Sequence, residues 1–255
     1  MSQEVFQGYR YHNPDESDPG LSTFEVVPSI PTDGDSASLA REFQAVKFEA
    51  VQEPYRTEYD PAEIAAHINP DNPKLVAAEE KRLQAANRTD FPRYVHALIG
   101  ESLGWKVTGV GHADYVSSND GSWTRRLLAG LLSRRAKATG PLDVTDILVR
   151  PALGDIELQR KGIGSAILFS LLDGLPDDTP IVAHAYPINR IARPVLGSLS
   201  FKLVEEYQYG QPENLFGRSF NRSLYNGLYR GDLRQLLIDQ KPWLPYREPV
   251  EDHAE

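Results

Sequence analysis

The sequence predicts a mixed α/β fold, one mostly antiparallel central sheet with helices on both faces. Three observations predict it. Residues 142 to 186 read strand, helix, strand, a crossover whose two strands must be parallel and right-handed. Just before it, "RYVHALIGE" and "WKVTGVGHADYV" read as antiparallel neighbours joined by a tight turn at "SLG". Before those, two stretches carry helical periodicity.

The elements follow in order. Residues 1 to 20 are polar and acidic, with Pro14, Pro19 and Gly20, and read as a loose arm. "STFEVVPSI" alternates and then meets Pro28, the mark of a short strand. "DGDSASLAREFQAVKFEAVQE" is a helix with Asp35 or Ser36 as N-cap and Leu39, Phe43, Val46 and Phe48 as apolar positions. "DPAEIAAHI" and "PKLVAAEEKRLQAAN" are helical segments broken by "NPDNP". After the two strands comes "TRRLLAGLLSRRAKA", a leucine face flanked by Arg125, Arg126, Arg134, Arg135 and Lys137. It reads as a docked lid or homodimer helix with a solvated basic rim, at about residues 122–138. "LDVTDILVRP" is a strand and "TPIVAHAYPI" another. "NRIARPVLGSL" is a short helix in which Pro194 is expected to cause a kink. "FKLVEEYQY" and "LFGRSFNRSLY" are strands, and "GDLRQLLIDQ" is a last helix. The expected organisation is an arm (1–20), one domain (21–225), and a C-terminal helix and tail (226–255).

Composition narrows the chemistry. The 255 residues suffice for one large domain or two small ones, and 40% hydrophobic with 25% charged residues is ordinary for a globular chain. There is no cysteine, so thiolate nucleophiles, disulfides and Cys-based metal centres are excluded. The six histidines show no ligand spacing, and no metal is expected. A formal net charge of −9 argues against general nucleic-acid binding. No apolar run approaches a membrane span and the first residues lack a signal-peptide core, so no membrane partner and a cytoplasmic location are expected.

The chemistry concentrates in "LQRKGIGSAILFSLL", residues 158 to 172. A dinucleotide fingerprint needs a third glycine where Ile167 stands, and a Walker loop needs Gly-Lys-Ser/Thr, whereas Lys161 precedes the first glycine. What remains is Q/R-x-x-G-x-G/A: Gln159, Arg160, Lys161, Gly162, Ile163, Gly164, with Ser165 following. Glycines let the backbone approach a diphosphate, and the N–H groups of a helix N-terminus hold the anion. Arg160 and Lys161 add positive charge at the same place.

With the downstream Asn189, Ala192 and Phe201, this pattern resembles the GNAT acetyltransferase superfamily, most strongly from Asp143 to Tyr207. The resemblance implies the GNAT fold with a βαβ acyl-coenzyme A-binding core. It also implies acetyl transfer from acetyl-coenzyme A, the cosubstrate, to an amine acceptor. Ile147, Leu148 and Val149 would bond the pantetheine arm through their backbone. A backbone N–H near Val149 would polarise the thioester carbonyl. Residues Gln159 to Ser165 would hold the pyrophosphate, and Asn189 would touch the cofactor. Asp146, on the strand face opposite Val149, would serve as base, with His184 and Glu157 as weaker candidates. Three departures stand out. Pro151 and Gln159 are eight residues apart instead of about three. Leu196 occupies the position of the tyrosine acid, leaving Tyr186, Tyr207 and Tyr209 as substitutes. Ser200 replaces a glycine.

Overall fold

The computed structural model describes residues 8–29, 36–55, 69–86, 93–100, 105–115, 141–185, 191–208 and 221–250. The expected helix "DPAEIAAHI" and the basic 122–138 segment lie outside them. In chain order the elements are β1 (Tyr9–His12), α1 (Pro19–Ser22), β2 (Thr23–Pro28), α2 (Ser36–Tyr55), α3 (Pro73–Ala86), β3 (Arg93–Ile99), β4 (Lys106–Tyr115) and β5 (Leu142–Val149). There follow β6 (Ala152–Leu153), β7 (Ile156–Glu157), α4 (Ile163–Leu171), β8 (Pro180–Ala185), α5 (Ala192–Ser198), β9 (Lys202–Gln208), β10 (Asn221–Tyr229), α6 (Arg230–Gln240) and β11 (Glu248–Pro249). The main sheet runs β11-β1-β2-β3-β4-β5-β8-β10-β9. Its pairings are antiparallel except β5 with β8, the expected crossover.

Alternation along the strands divides the sheet into two faces. On β3, Val95, Ala97 and Ile99 join a rear core with α4 and α6, while Tyr94 and Leu98 join a front core with α2 and α3. Helix α2 enters the front core through Ala40, Phe43 and Val46, close to the expected stripe. It is locked to α3 by buried Glu79, whose carboxylate accepts from Lys47 Nζ at 2.8 Å and Gln44 Nε2 at 3.1 Å. A buried carboxylate with fewer partners would carry a large desolvation cost.

Helix α4 is apolar nearly all round because it is covered on both sides. It lies on strands β2 to β5 and under α6, burying Ile163, Ala166, Ile167, Leu168, Phe169 and Leu171. Each large side chain buried this way contributes about 1.5–3 kcal/mol. The helix is therefore anchored by its body. Two β4 glycines let it sit close: a Cβ at Gly109 would lie 2.8 Å from Ile167 Cδ1, and one at Gly111 would overlap Ile167 Cγ2. Gly111→Ala is expected to destabilise the protein by about 1–3 kcal/mol, read from the midpoint of urea unfolding.

The chain ends differ from the expectation. Residues 9 to 22 are not a loose arm: β1 pairs with β2 on one side and β11 on the other. Tyr11 is fully buried, with its hydroxyl 2.7 Å from Ser170 Oγ. The expected boundary at 225/226 falls inside β10, and α6 buries Leu233 and Leu237 in the same core. A strand of four residues paired to a segment more than 200 residues away leaves no local signature.

Helix α5 also corrects an expectation. Pro194 is its third residue, in the first turn, where a backbone N–H has no intrahelical acceptor, so the ring removes no helical bond. The helix ends in a Schellman motif: Phe201 N–H donates to Leu196 O at 2.9 Å and Ser200 N–H to Gly197 O at 3.0 Å. Ser200 accordingly takes φ 61, a glycine conformation. Ser200→Gly relieves this strain but loosens the unfolded chain. The net expectation is a gain of about 0.5–1 kcal/mol in unfolding free energy, measured by denaturant titration.

Candidate active site

The parallel pair β5–β8 opens into a fork. Pairing covers Leu142↔Ile181, Asp143↔Val182 and Val144↔Ala183 and then stops. Residues 141–144 are buried, whereas 145–150 are half-buried along the open side. The divergence begins at a bulge: across from β4, Ala113 faces Val144 but His112 faces Asp146, leaving Thr145 as the extra residue. Beyond it, Arg150 N–H donates to Thr108 O at 2.8 Å. By alternation Leu148 also turns its backbone to β4, while Ile147 and Val149 turn theirs to the cleft. Of the three residues expected to bond the pantetheine arm, two have the backbone direction for it.

The cleft leads to the glycine loop. The inserted residues fold away as the β6–β7 hairpin, whose Leu153 and Ile156 pack on the rear core. Leu158 N–H donates to Pro151 O at 2.9 Å and closes the hairpin base. The eight-residue spacing is thereby short-circuited, and Gln159 follows the strand end in space. Arg160 is exposed at φ 62 and Gly162 is buried at φ 85. A Cβ at Gly162 would lie 2.6 Å from Trp243 Cζ2, so only glycine fits. Gly162 is the N-cap of α4, with no side-chain cap bond. The first N–H groups of the helix, from Ile163 to Ser165, thus lie at the mouth of the cleft with the positive end of the helix dipole behind them. Lys161, expected to add charge toward an anion, instead places Nζ 2.6 Å from Glu16 Oε2.

Polar side chains gather on the front face of the fork. The bulge puts Asp143 and Asp146 on the same face, although a regular strand would place them on opposite ones. Asp143 Oδ1 lies 2.9 Å from His184 Nδ1, both side chains buried. His112 stacks on Tyr94 with ring centroids 4.1 Å apart, and its Nδ1 lies 2.5 Å from Thr145 Oγ1. Burial holds His112 below the usual histidine range, with the Asp146 charge opposing, and burial pushes Tyr94 upward. Asp146 is thus half-buried beside a neutral imidazole and an un-ionised phenol. Sequence reading named His184 but not its partner Asp143, nor Tyr94 and His112; the bulge that brings Asp146 onto their face was the missing signal.

Other candidates separate from this group. Glu157 is exposed on β7, and its charge acts on Lys161 rather than on the fork. Leu196 is half-buried against the rear core. Tyr207 lies on the edge strand β9, in register with Arg222. Tyr186, Asn189 and Tyr209 lie outside the described residues. No described helix is long and apolar enough to cross a membrane.

No protein-family model matches the sequence, and no curated protein matches it. Solved structures do. A GCN5-related N-acetyltransferase from Brucella melitensis is similar over 87% of this chain and 82% of its own, at 13% identity and TM-score 0.51. An uncharacterized protein from Bacillus halodurans is similar over 94% of this chain and 98% of its own, at 12% identity and TM-score 0.52. At these identities the likeness is one of fold. The chain has the GNAT fold, as its glycine loop and element order led one to expect.

Proposed function

We propose that this protein is an N-acetyltransferase that moves an acetyl group from acetyl-coenzyme A to a primary amine by direct transfer. The observation that carries the reading is the β5–β8 fork running into the uncapped N-terminus of α4 through a loop with two residues at positive φ. Strain of that kind is kept where a site needs it. The pantetheine arm would lie along the Ile147 and Val149 backbones. The pyrophosphate would rest on the N–H groups of residues 162 to 165, with Gln159 and Arg160 beside it; Asn189 is a further cofactor contact that the resemblance implies. A cleft-facing N–H near Val149 would polarise the thioester carbonyl.

Asp146 would take a proton from the incoming ammonium, and the neutral amine then attacks that carbonyl. The C–N bond forms, the C–S bond breaks, and coenzyme A leaves as thiolate. Leu196 offers no hydroxyl to protonate it, and Tyr186 and Tyr207 are the remaining candidates. The carboxylates of Asp146 and of Asp114 on β4, whose charges both act on His112, favour a cationic acceptor over an anionic one. With no cysteine in the chain, no acyl-thioenzyme intermediate forms.

A second reading rests on Leu196: a GNAT-fold module that binds acyl-coenzyme A without turnover. One experiment separates the two. Acetyl-coenzyme A binding is followed by thermal shift, and coenzyme A release is followed across a panel of polyamines, amino acids and peptide N-termini. Release with any amine supports the enzyme; binding with no release supports the module.

A further inference from the structure

We infer that the N-terminal turn, residues 13 to 18, is a built part of the phosphate loop, and that Lys161 tethers the loop to it instead of contacting phosphate. The inference rests on the reading of this loop as the pyrophosphate site. Lys161 is gripped at both ends. Its ammonium lies 2.6 Å from Glu16 Oε2, and the other Glu16 oxygen accepts from Asp18 N–H at 3.1 Å. Its backbone carbonyl accepts from Asn13 Nδ2 at 2.9 Å. Asn13 is itself 3% exposed and fixed: its Oδ1 accepts from Asp15 N–H at 3.1 Å, and its N–H donates to Ser22 O at 2.7 Å.

The charges around Lys161 point the same way. Glu16, Glu157 and Asp18 all act on its ammonium and raise its proton affinity. A diphosphate approaching that ammonium would also approach three carboxylates, and like charges at close range repel strongly. The anion must therefore come to the other side of the loop, where the α4 N–H groups lie. The brace has a physical purpose. Arg160 at φ 62 and Gly162 at φ 85 are left-handed, and a non-glycine residue held there needs support from its surroundings. Asn13 and Glu16 supply it, and Trp243 packs on Gly162 beside Asn13. Asn13 and Glu16 are thus positioning residues.

A charge swap in the full-length chain tests this, with coenzyme A as probe in calorimetry. Lys161→Glu is expected to weaken binding at least about tenfold, through like-charge repulsion from Glu16. Glu16→Lys should also weaken binding, although it adds positive charge near the anion. The double variant, which restores the ion pair in reverse, should return to within about threefold of wild type. Were Lys161 a phosphate ligand, Glu16→Lys would bind more tightly and the double variant would stay as weak as Lys161→Glu. Either result overturns the inference. Hydrogen exchange of the amides of residues 160 to 165 gives a readout without cofactor: faster in both single variants, restored in the double. If wild type binds no coenzyme A, the pyrophosphate reading falls, while exchange still decides whether the tether shapes the loop. Unchanged exchange in both single variants would overturn the tether.

Discussion

Gly164→Glu is expected to abolish acetyl-coenzyme A binding while leaving the protein folded. A Cβ at this position would sit 3.6 Å from Ile147 Cγ2 and 3.7 Å from Val149 Cγ2, which is ordinary contact. Gly164 is the second residue of α4, where an acidic side chain suits the helix dipole and glutamate is a better helix former than glycine. The free protein should therefore unfold at an unchanged or slightly higher denaturant concentration. The glutamate must extend into the cleft mouth, since the rear core is filled. Its charge then lies beside the site assigned to the pyrophosphate, and repulsion at that range amounts to about 3–4 kcal/mol, or roughly 100-fold or more in affinity. Calorimetry on the variant beside its unfolding curve checks both halves. Undiminished binding would remove the loop from the site. Gly162 would be a poorer target, because any side chain there meets Trp243 and the fold itself would suffer.

Asp146→Asn should lower turnover at neutral pH by about 10- to 100-fold, with coenzyme A affinity nearly unchanged. The side chain points to the front face, away from the loop and from the rear-face Ile147 and Val149. The isosteric amide cannot take the proton that the bound ammonium must lose before the amine attacks. The deficit should shrink as pH rises, because the acceptor then arrives neutral and needs no base. A deficit that stays constant across pH would make Asp146 structural. The His112 imidazole gives a second check: removing the neighbouring carboxylate takes away an influence that favours its charged form, so its titration, followed by NMR, should move lower still.

Much of the fold was legible locally. The crossover follows from two strand-like runs flanking a helical one, and handedness leaves a single arrangement. The glycine loop was legible because a tight backbone turn into a helix needs glycine, and Gly162 meets that need at φ 85 against Trp243. The extra residues between Pro151 and Gln159 were visible as a departure but not as a hairpin, since strands of two residues carry no period.

The sequence by itself determined the class of sheet, the helix that carries the loop and the absence of thiol chemistry. These depend on neighbours within a few turns or on composition. Only the tertiary structure decided which side chains share the fork. Asp143 and Asp146 meet on one face because a bulge at Thr145 shifts the pairing against β4, and register is set by the partner strand. Lys161 turns from the cleft to Glu16 because β1, invisible as a strand, brings the N-terminal turn against the loop. An ion pair answers to the nearest opposite charge in space, and distance in space is what a chain read residue by residue does not contain.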